Sequence, residues 1–143
     1  MAKTHYILNT DGGSRGNPGP AAAGIVLRSG DGEVLKTASR YLGETTNNQA
    51  EYRALLLGLE IASSIDPRIS LADVEIEILM DSELIVRHMQ GKYKVRAKDL
   101  IPLYEAALEL VNKFGSVKFE HVVRELNTEA DALVNQALNR LGK

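Results

Sequence analysis

The stretch His5-Tyr6-Ile7-Leu8-Asn9-Thr10-Asp11, which runs into Gly12-Gly13, sets the interpretation of the whole chain. Its apolar and polar residues alternate, which predicts a strand over His5–Asp11 that breaks at the two glycines. Such a strand carries Asp11 at its carboxyl end. Two further strands are predicted at Ala21–Arg28 and Val34–Tyr41, with a glycine-containing turn between them, so the domain opens with three antiparallel strands.

Helical and strand patterns alternate along the rest of the chain. Apolar residues that recur every three or four positions predict helices, and those that recur every two predict strands. The predicted elements are a helix over Thr46–Ser64, a strand over Val74–Met80, helices over Leu84–Gln90 and Leu100–Phe114, a strand over Val117–Val123, and a helix from its cap Asn127 through Leu141. This order, βββαβααβα, predicts one α/β domain over residues 1–143, in which strands separated by helices run parallel.

Composition limits the kinds of site that the chain can build. Its 143 residues contain no cysteine, which excludes disulfides and thiolate metal sites and leaves oxygen or imidazole ligands. The apolar stretches are too short to cross a bilayer, and no basic flank precedes an apolar run at the N-terminus. We therefore expect a cytoplasmic, monomeric protein with no membrane association.

The distribution of charge is more informative than its sum. There are 17 Lys and Arg against 19 Asp and Glu, a formal net charge of −2, which by itself argues against a nucleic-acid binder. Positive charge is concentrated in the run Lys92-Tyr93-Lys94-Val95-Arg96-Ala97-Lys98, which contains an aromatic residue. This basic run is a candidate for phosphate contacts, and the alternative is a solvated loop.

Four acidic residues fall at comparable places in the predicted elements. Asp11 and Asp81 end strands, and Glu51 and Asp131 lie near the starts of helices. Because ligands of an open α/β sheet gather beyond the carboxyl ends of its strands, we expect these carboxylates to converge. Two carboxylates about 5 Å apart repel by roughly 3 kcal/mol at an effective dielectric constant near 20, so such a cluster predicts a metal site.

Each acid also has an ordinary structural explanation. The alternatives are a turn opened by Asp11, a helix cap at Asp81, and capping boxes that pair Glu51 with Asn48 and Asp131 with Thr128. The glycine-rich segment 11–20 is similarly ambiguous. It lacks the spacing of a P-loop or dinucleotide fingerprint, but its backbone N–H groups could approach a nucleic-acid phosphate.

Four motifs, in order along almost the whole chain, resemble the signatures of type 1 ribonuclease H. They are Asp11-Gly12-Gly13-Ser14 with Gly16-Asn17-Pro18-Gly19, Thr45-Thr46-Asn47-Asn48-Gln49-Ala50-Glu51, Met80-Asp81-Ser82, and Asn127-Thr128-Glu129-Ala130-Asp131-Ala132-Leu133. The resemblance implies a five-stranded mixed sheet in the order 3-2-1-4-5 with helices on both faces.

The same resemblance implies a chemistry. Asp11, Glu51, Asp81 and Asp131 would hold two Mg²⁺ ions, with Mn²⁺ as an alternative, and hydrolyse the RNA strand of an RNA/DNA hybrid to 5′-phosphate and 3′-hydroxyl ends. Two ions about 4 Å apart can activate the attacking water and stabilise the leaving oxygen. The implied substrate contacts, several of them to RNA 2′-hydroxyls, are made by Ser14, Asn17, Thr46, Asn47, Asn48, Glu83 and Arg124.

Three departures narrow the resemblance to a short-loop, archaeal-like branch. Many relatives carry a histidine on a longer loop before the last acid, where this chain has a short segment that contains Arg124, a candidate phosphate contact. We expect His121 to point into the packed face of its strand rather than to replace that histidine. Glu83 stands where many relatives have Gln. The sequence also lacks the basic helical protrusion of some relatives, and the basic run would replace the DNA contacts of that protrusion only in part.

Two other hypotheses compete with the nuclease. One is a catalytically silent nucleic-acid-binding module on the same fold, which the presence of all four acids argues against. The other is a different metal-dependent nuclease or an integrase-type enzyme. The Thr-Thr-Asn-Asn segment disfavours it, because that segment suits an RNA strand.

Overall fold

The computed structural model describes residues 3–141. Five strands form one mixed sheet in the order β3-β2-β1-β4-β5, which confirms the predicted order. The strands are β1 (Thr4–Ser14), β2 (Gly19–Ser29), β3 (Val34–Thr45), β4 (Val74–Met80) and β5 (Ser116–His121). β2 runs antiparallel to both of its neighbours, whereas β1, β4 and β5 are mutually parallel.

Four helices connect and cover the strands. They are α1 (Asn47–Ser64), α2 (Glu83–Met89), α3 (Ile101–Val111) and α4 (Thr128–Arg140). Short 3₁₀ turns at Leu71–Asp73 and Arg124–Leu126 precede β4 and α4. Every predicted element is present, with bounds shifted by a few residues. No helix within residues 3–141 is long and apolar enough to span a bilayer.

The two faces of the sheet have cores of different size. The α1 face buries the larger cluster, which includes Leu8, Ile25 and Ile78 of the sheet and Leu55 and Leu59 of α1. The α4 face buries a small cluster made by Ala22, Val134, Ala137 and Leu138. Removal of apolar surface from water contributes about 25 cal/mol per Å², so the α1 face provides most of the hydrophobic stabilisation.

The prediction that β1 breaks at Gly12-Gly13 was wrong. β1 remains paired with β2 as far as Ser14, which lies opposite Ala21. Gly12 has a different role, since a Cβ atom there would lie 2.2 Å from the carbonyl oxygen of Ala50 in α1. Glycine therefore allows the first turn of α1 to pack directly on the carboxyl end of β1, beside Asp11.

Candidate active site

The structure brings the four predicted acids together at one edge of the sheet. One carboxylate oxygen from each of Asp11, Glu51 and Asp81 lies within 4.8 Å of the other two. Asp131, on the first turns of α4, is close enough to hydrogen-bond with Asp11. The acids come from β1, α1, the end of β4 and α4, so four elements distant in sequence define one cluster.

The charges of this cluster oppose one another. Burial, with the nearby charges of Asp81 and Asp131 and their hydrogen bonds, raises the pKa of Asp11 from 3.8 to about 8. Burial first, and then the charges of Asp11 and Asp81, raise the pKa of Glu51 well above its usual value. A fully ionised cluster is therefore unfavourable in this fold unless a cation offsets the repulsion.

The backbone of β1 holds Glu51 in place. The N–H of Gly12 donates a 3.0 Å hydrogen bond to Oε1 of Glu51, which is buried. The contact requires the close approach of α1 to β1 that Gly12 permits. It fixes the Glu51 carboxylate before any ligand arrives.

Helix capping does not account for the acids. Ser82 rather than Asp81 caps α2, because its hydroxyl accepts from the N–H of Ile85. Thr46 caps α1 by accepting from the N–H of Gln49 at 3.2 Å, and Glu51 bonds to Gly12 instead of completing a capping box. The Asp131 carboxylate accepts a 3.4 Å hydrogen bond from Asn135 rather than completing a box with Thr128.

A polar cavity of about 410 Å³ lies over the acids. Ser14, Asn47 and Asn48 form part of its wall, so three predicted substrate contacts lie beside the carboxylates. Both the N–H and the hydroxyl of Ser14 donate to Oδ1 of Asn47, at 2.8 and 3.1 Å. The N–H of Asn47 in turn donates to Oδ1 of Asn17 at 3.0 Å.

These bonds determine which polar groups of Asn47, and of Asn17 bonded to it, remain available to a ligand. The side-chain oxygens of Asn17 and Asn47 accept bonds from the protein. Among the hydrogen bonds described for residues 3–141, none uses the Nδ2 group of either side chain. Each residue therefore presents an N–H donor, which can bond to a hydroxyl oxygen or to an acceptor atom of a base.

Three predicted substrate residues stand apart from the cavity wall: Thr46, Glu83, and Asn17, which bonds to Asn47 of the wall. The side chain of Thr46 is engaged as the cap of α1. Glu83 is exposed on the first turn of α2 and forms an ion pair with Arg87, with Nη2 and Oε2 3.4 Å apart. None of the three residues lines the cavity over the acids.

Arg124 lies at the rim of the cavity. It belongs to the 3₁₀ turn before α4, and its Nε lies 3.9 Å from Oδ2 of Asp81. The Arg124 side chain is 82% exposed, whereas that of Asp81 is 9% exposed. An exposed guanidinium beside a buried carboxylate can reach a phosphate without leaving the site.

The prediction for His121 was wrong. His121 is exposed, whereas Phe119, two residues earlier on the same face of β5, is buried. The reason is its position, since His121 is the last residue of an edge strand, paired with Met80 at the point where the packed face ends. No contact of His121 with the acids is described.

The role of Asn9 was missed from the sequence, and the prediction that Asn127 caps the last helix was wrong, because both side-chain amides are buried near the acids and the Asn127 side chain bonds to β1 instead. Nδ2 of Asn9 donates to Oδ1 of Asn127 at 3.0 Å, and Nδ2 of Asn127 donates to the carbonyl oxygen of Thr10 at 2.9 Å. The sequence offered one signal for them. Asn9 occupies a strand position that faces the same side as Asp11, where a polar residue needs a buried partner.

The donor set of the cluster fits a divalent cation. Its ligands are carboxylate oxygens, which suit hard cations such as Mg²⁺, Mn²⁺ and Ca²⁺. Burial first, and then repulsion between the carboxylates, raises the pKa of Asp11 and of Glu51, and a bound cation would offset both effects.

Comparisons with known proteins identify the family. The model of the family described as "Reverse transcriptase-like" matches residues 9–137. A bifunctional protein of Mycobacterium tuberculosis is 42% identical over 134 residues, which are 93% of this chain and 35% of that protein. Ribonuclease HI of Halobacterium salinarum is 42% identical over 129 residues, 90% of this chain and 62% of that protein. The chain thus spans about a third of the first relative and under two thirds of the second.

A solved structure extends the likeness to the fold. LC11-RNase H1, crystallised in complex with an RNA/DNA hybrid, superposes with a TM-score of 0.91 at 42% identity. The match covers 96% of this chain and 99% of that one. Agreement in sequence, sheet order and overall structure leads to one assignment: the chain belongs to the ribonuclease H family.

Proposed function

We propose that this chain is a type 1 ribonuclease H of the short-loop branch. It hydrolyses the RNA strand of RNA/DNA hybrids in the cytoplasm, as a monomer, and leaves 5′-phosphate and 3′-hydroxyl ends. The observation that carries the proposal is the convergence of Asp11, Glu51, Asp81 and Asp131 beneath a polar cavity with amide groups in its wall. The LC11-RNase H1 complex with a hybrid supports the choice of substrate.

The acids would hold Mg²⁺ or Mn²⁺, two ions when substrate is present. Bound divalent ions supply a water of lowered pKa and positive charge beside the scissile phosphate. The protein fixes the carboxylates in advance, since Glu51 accepts from Gly12 and Asp11 is buried. The burial that makes the empty cluster unfavourable also strengthens each carboxylate's attraction for a cation.

The cavity wall selects the RNA strand. Asn47 and Asn48 line the cavity, and Asn47, with Asn17 bonded to it beside the wall, presents an Nδ2 donor. A 2′-hydroxyl can accept from such a donor, and a DNA strand at the same place lacks this group. The acids and the wall therefore act together, because a strand without 2′-hydroxyls is held less well above the carboxylates.

Positively charged side chains beside the cavity bind the sugar-phosphate backbone. Arg124 reaches over Asp81 toward the phosphate at the acids. Asp99, which directly follows the basic run Lys92–Lys98, accepts a 2.8 Å hydrogen bond from the side chain of Gln49 in α1. This bond brings the end of the basic run close to α1. The same Gln49 side chain accepts from Thr45 at 2.6 Å. We assign the basic run to the DNA strand and Glu83, paired with Arg87, to the rim of the groove.

The test is cleavage of an end-labelled RNA/DNA hybrid with Mg²⁺, with Mn²⁺ and with EDTA. Single-stranded RNA and duplex DNA serve as substrate controls. Asp81→Asn should lower the rate by at least about a hundredfold, since it removes charge that the reaction requires. Asp73→Asn, the same change in a 3₁₀ turn outside the cavity, should leave the rate within about twofold.

Metal-dependent cutting of the RNA strand alone, lost in Asp81→Asn, would establish the proposed activity. Binding of the hybrid without cutting would instead identify a nucleic-acid-binding module. Equal cutting of duplex DNA would identify a different nuclease. An exonuclease that requires a 5′-phosphate tests which bond is cleaved, because it degrades the products only if they carry 5′-phosphate ends.

A further inference from the structure

Asn127 stands at the N-cap position of α4 but does not cap the helix. Its side chain makes no bond to the first backbone N–H groups of α4. Asparagine at this position commonly accepts such a bond and so stabilises the helix. Here the side chain turns into the sheet instead, and 1% of the residue is exposed. The hydrogen bonds of the Asn127 side chain therefore attach α4 to the sheet and do not stabilise the helix as a cap would.

Both ends of the Asn127 amide are bound to β1. Oδ1 accepts from Asn9 at 3.0 Å, and Nδ2 donates to the carbonyl oxygen of Thr10 at 2.9 Å. Asn9 is also buried, with 8% exposed. Thr10 directly precedes Asp11, and Asn9 lies two residues before it on the same face of the strand. The amide pair is thus attached next to one of the acids.

Asn127 is also connected to a second acid, Asp131. The backbone oxygen of Asn127 accepts the first helical bond of α4, from the N–H of Asp131 at 3.1 Å. Asp131 therefore stands four residues, slightly more than one helical turn or about 6 Å along the axis, beyond the anchored residue. Asp11 and Asp131 in turn interact directly through their carboxyl groups.

α4 packs closely on β2 beside Asp131, since a Cβ atom at Gly24 would lie 2.3 Å from the carbonyl oxygen of Ala130. The apolar cluster of α4 is small, with Val134, Ala137 and Leu138 packed on Ala22. Other polar contacts lie elsewhere on the helix: Arg28 pairs with Glu129, and the hydroxyl of Ser39 donates to the carbonyl oxygen of Leu133 at 2.5 Å. Arg15 donates to Asn139 at 2.7 Å and to Asn135 at 3.5 Å. None of these contacts involves the residues of β1 that directly precede Asp11. The Asn9–Asn127 pair does.

We propose that Asn127, with its partner Asn9, is a positioning residue that sets the distance between the Asp131 and Asp11 carboxylates and so the affinity of the site for divalent metal. The inference rests on the proposed function. Partners of this kind, which hold a ligand without touching the metal, typically contribute ten- to a hundredfold in metal affinity or activity when they are removed.

Asn127→Ala tests the proposal, with Ser39→Ala as the matched control. The control removes an anchor of α4 at Leu133, away from the acids. Two quantities are measured for each variant: the Mg²⁺ concentration that gives half of the maximal cleavage rate, and the concentration that gives half of the metal-induced rise in Tm without substrate. The second quantity does not depend on activity.

We expect Asn127→Ala to raise both concentrations by about tenfold or more and to lower kcat, with KM for the hybrid changed by less than about threefold. Asn9→Ala, which keeps the bond to Thr10, should raise them by a smaller factor. Ser39→Ala should lower Tm and leave both concentrations unchanged. Asn9→Ala keeps the proposal testable if Asn127→Ala does not fold.

The outcomes separate this proposal from the function itself. If the unaltered protein neither cuts the hybrid nor responds to metal, the proposed function fails. Suppose instead that the unaltered protein does both, and that Asn127→Ala and Asn9→Ala lose thermal stability while their Mg²⁺ dependence stays the same as that of Ser39→Ala. The amide pair would then be purely structural, and the positioning role would be overturned.

Discussion

Replacing Asp11 with Asn should stabilise the metal-free protein. The change keeps the shape of the side chain and removes a charge that the fold opposes, since burial, with Asp81 and Asp131 nearby, raises the pKa of Asp11 to about 8. One pKa unit corresponds to about 1.4 kcal/mol, so a shift of about four units corresponds to an upper limit of about 5–6 kcal/mol. Because one proton can serve the neighbouring acids as well, we expect about half of this, ~2–3 kcal/mol at pH 7.

The sign of the pH dependence follows from the same shift. The folded protein binds the Asp11 proton more tightly than the unfolded chain does, so the metal-free protein loses stability as the pH rises from about 4 to about 8. Asp11→Asn removes that loss. The advantage of the variant should be small near pH 4 and largest at pH 8 and above.

Thermal and urea unfolding in EDTA, at pH 4.5 and pH 8, measure the effect. For a chain of this size, 2–3 kcal/mol corresponds to a rise in Tm on the order of 5–10 °C. Added Mg²⁺ should raise the Tm of the unaltered protein, because a ligand that binds only the folded state stabilises it, and should raise that of the variant much less. A variant that is less stable than the unaltered protein at pH 8 would refute the account of a self-repelling cluster.

Three further variants test other parts of the structure. Gly12→Ala should destabilise the protein by about 3 kcal/mol or prevent folding, since its Cβ would lie 2.2 Å from a backbone oxygen of α1; urea unfolding measures this. Tyr52→Phe should cost ~1–2 kcal/mol in the same assay, because it removes the 2.7 Å hydrogen bond to the buried Nδ1 of His88. Lys94→Gln with Lys98→Gln should weaken hybrid binding several-fold at low salt and flatten its salt dependence, and an unchanged salt slope would contradict the assignment of the basic run.

The elements and the convergence of the acids could be predicted because both depend on local patterns. Asp11 and Asp81 follow apolar strands, and Glu51 and Asp131 lie in the first turns of helices, so the topology alone directs them to one edge. The order of the strands came from resemblance to a family rather than from periodicity. That order then fixes which acids become neighbours.

Other features depend on contacts that local patterns do not encode. Asn9 and Asn127 are 118 positions apart, and nothing near either residue indicates the other. Gly12 looked like the end of a strand, but its small size serves a contact with α1 across the sheet. His121 followed the alternation of β5 correctly, yet burial at a strand end depends on how far the covering layer extends.

The mutual bonds of Ser14, Asn17 and Asn47 have a consequence for the thermodynamics of recognition. These three residues hold one another before a substrate arrives, through the bonds to Oδ1 of Asn47 and Oδ1 of Asn17. The loss of side-chain entropy is therefore incurred during folding, and little remains to be lost on association. Recognition by a prearranged surface of this kind should show a modest entropic penalty, which calorimetric titration of a cleavage-deficient variant with hybrids of unrelated base sequence would measure.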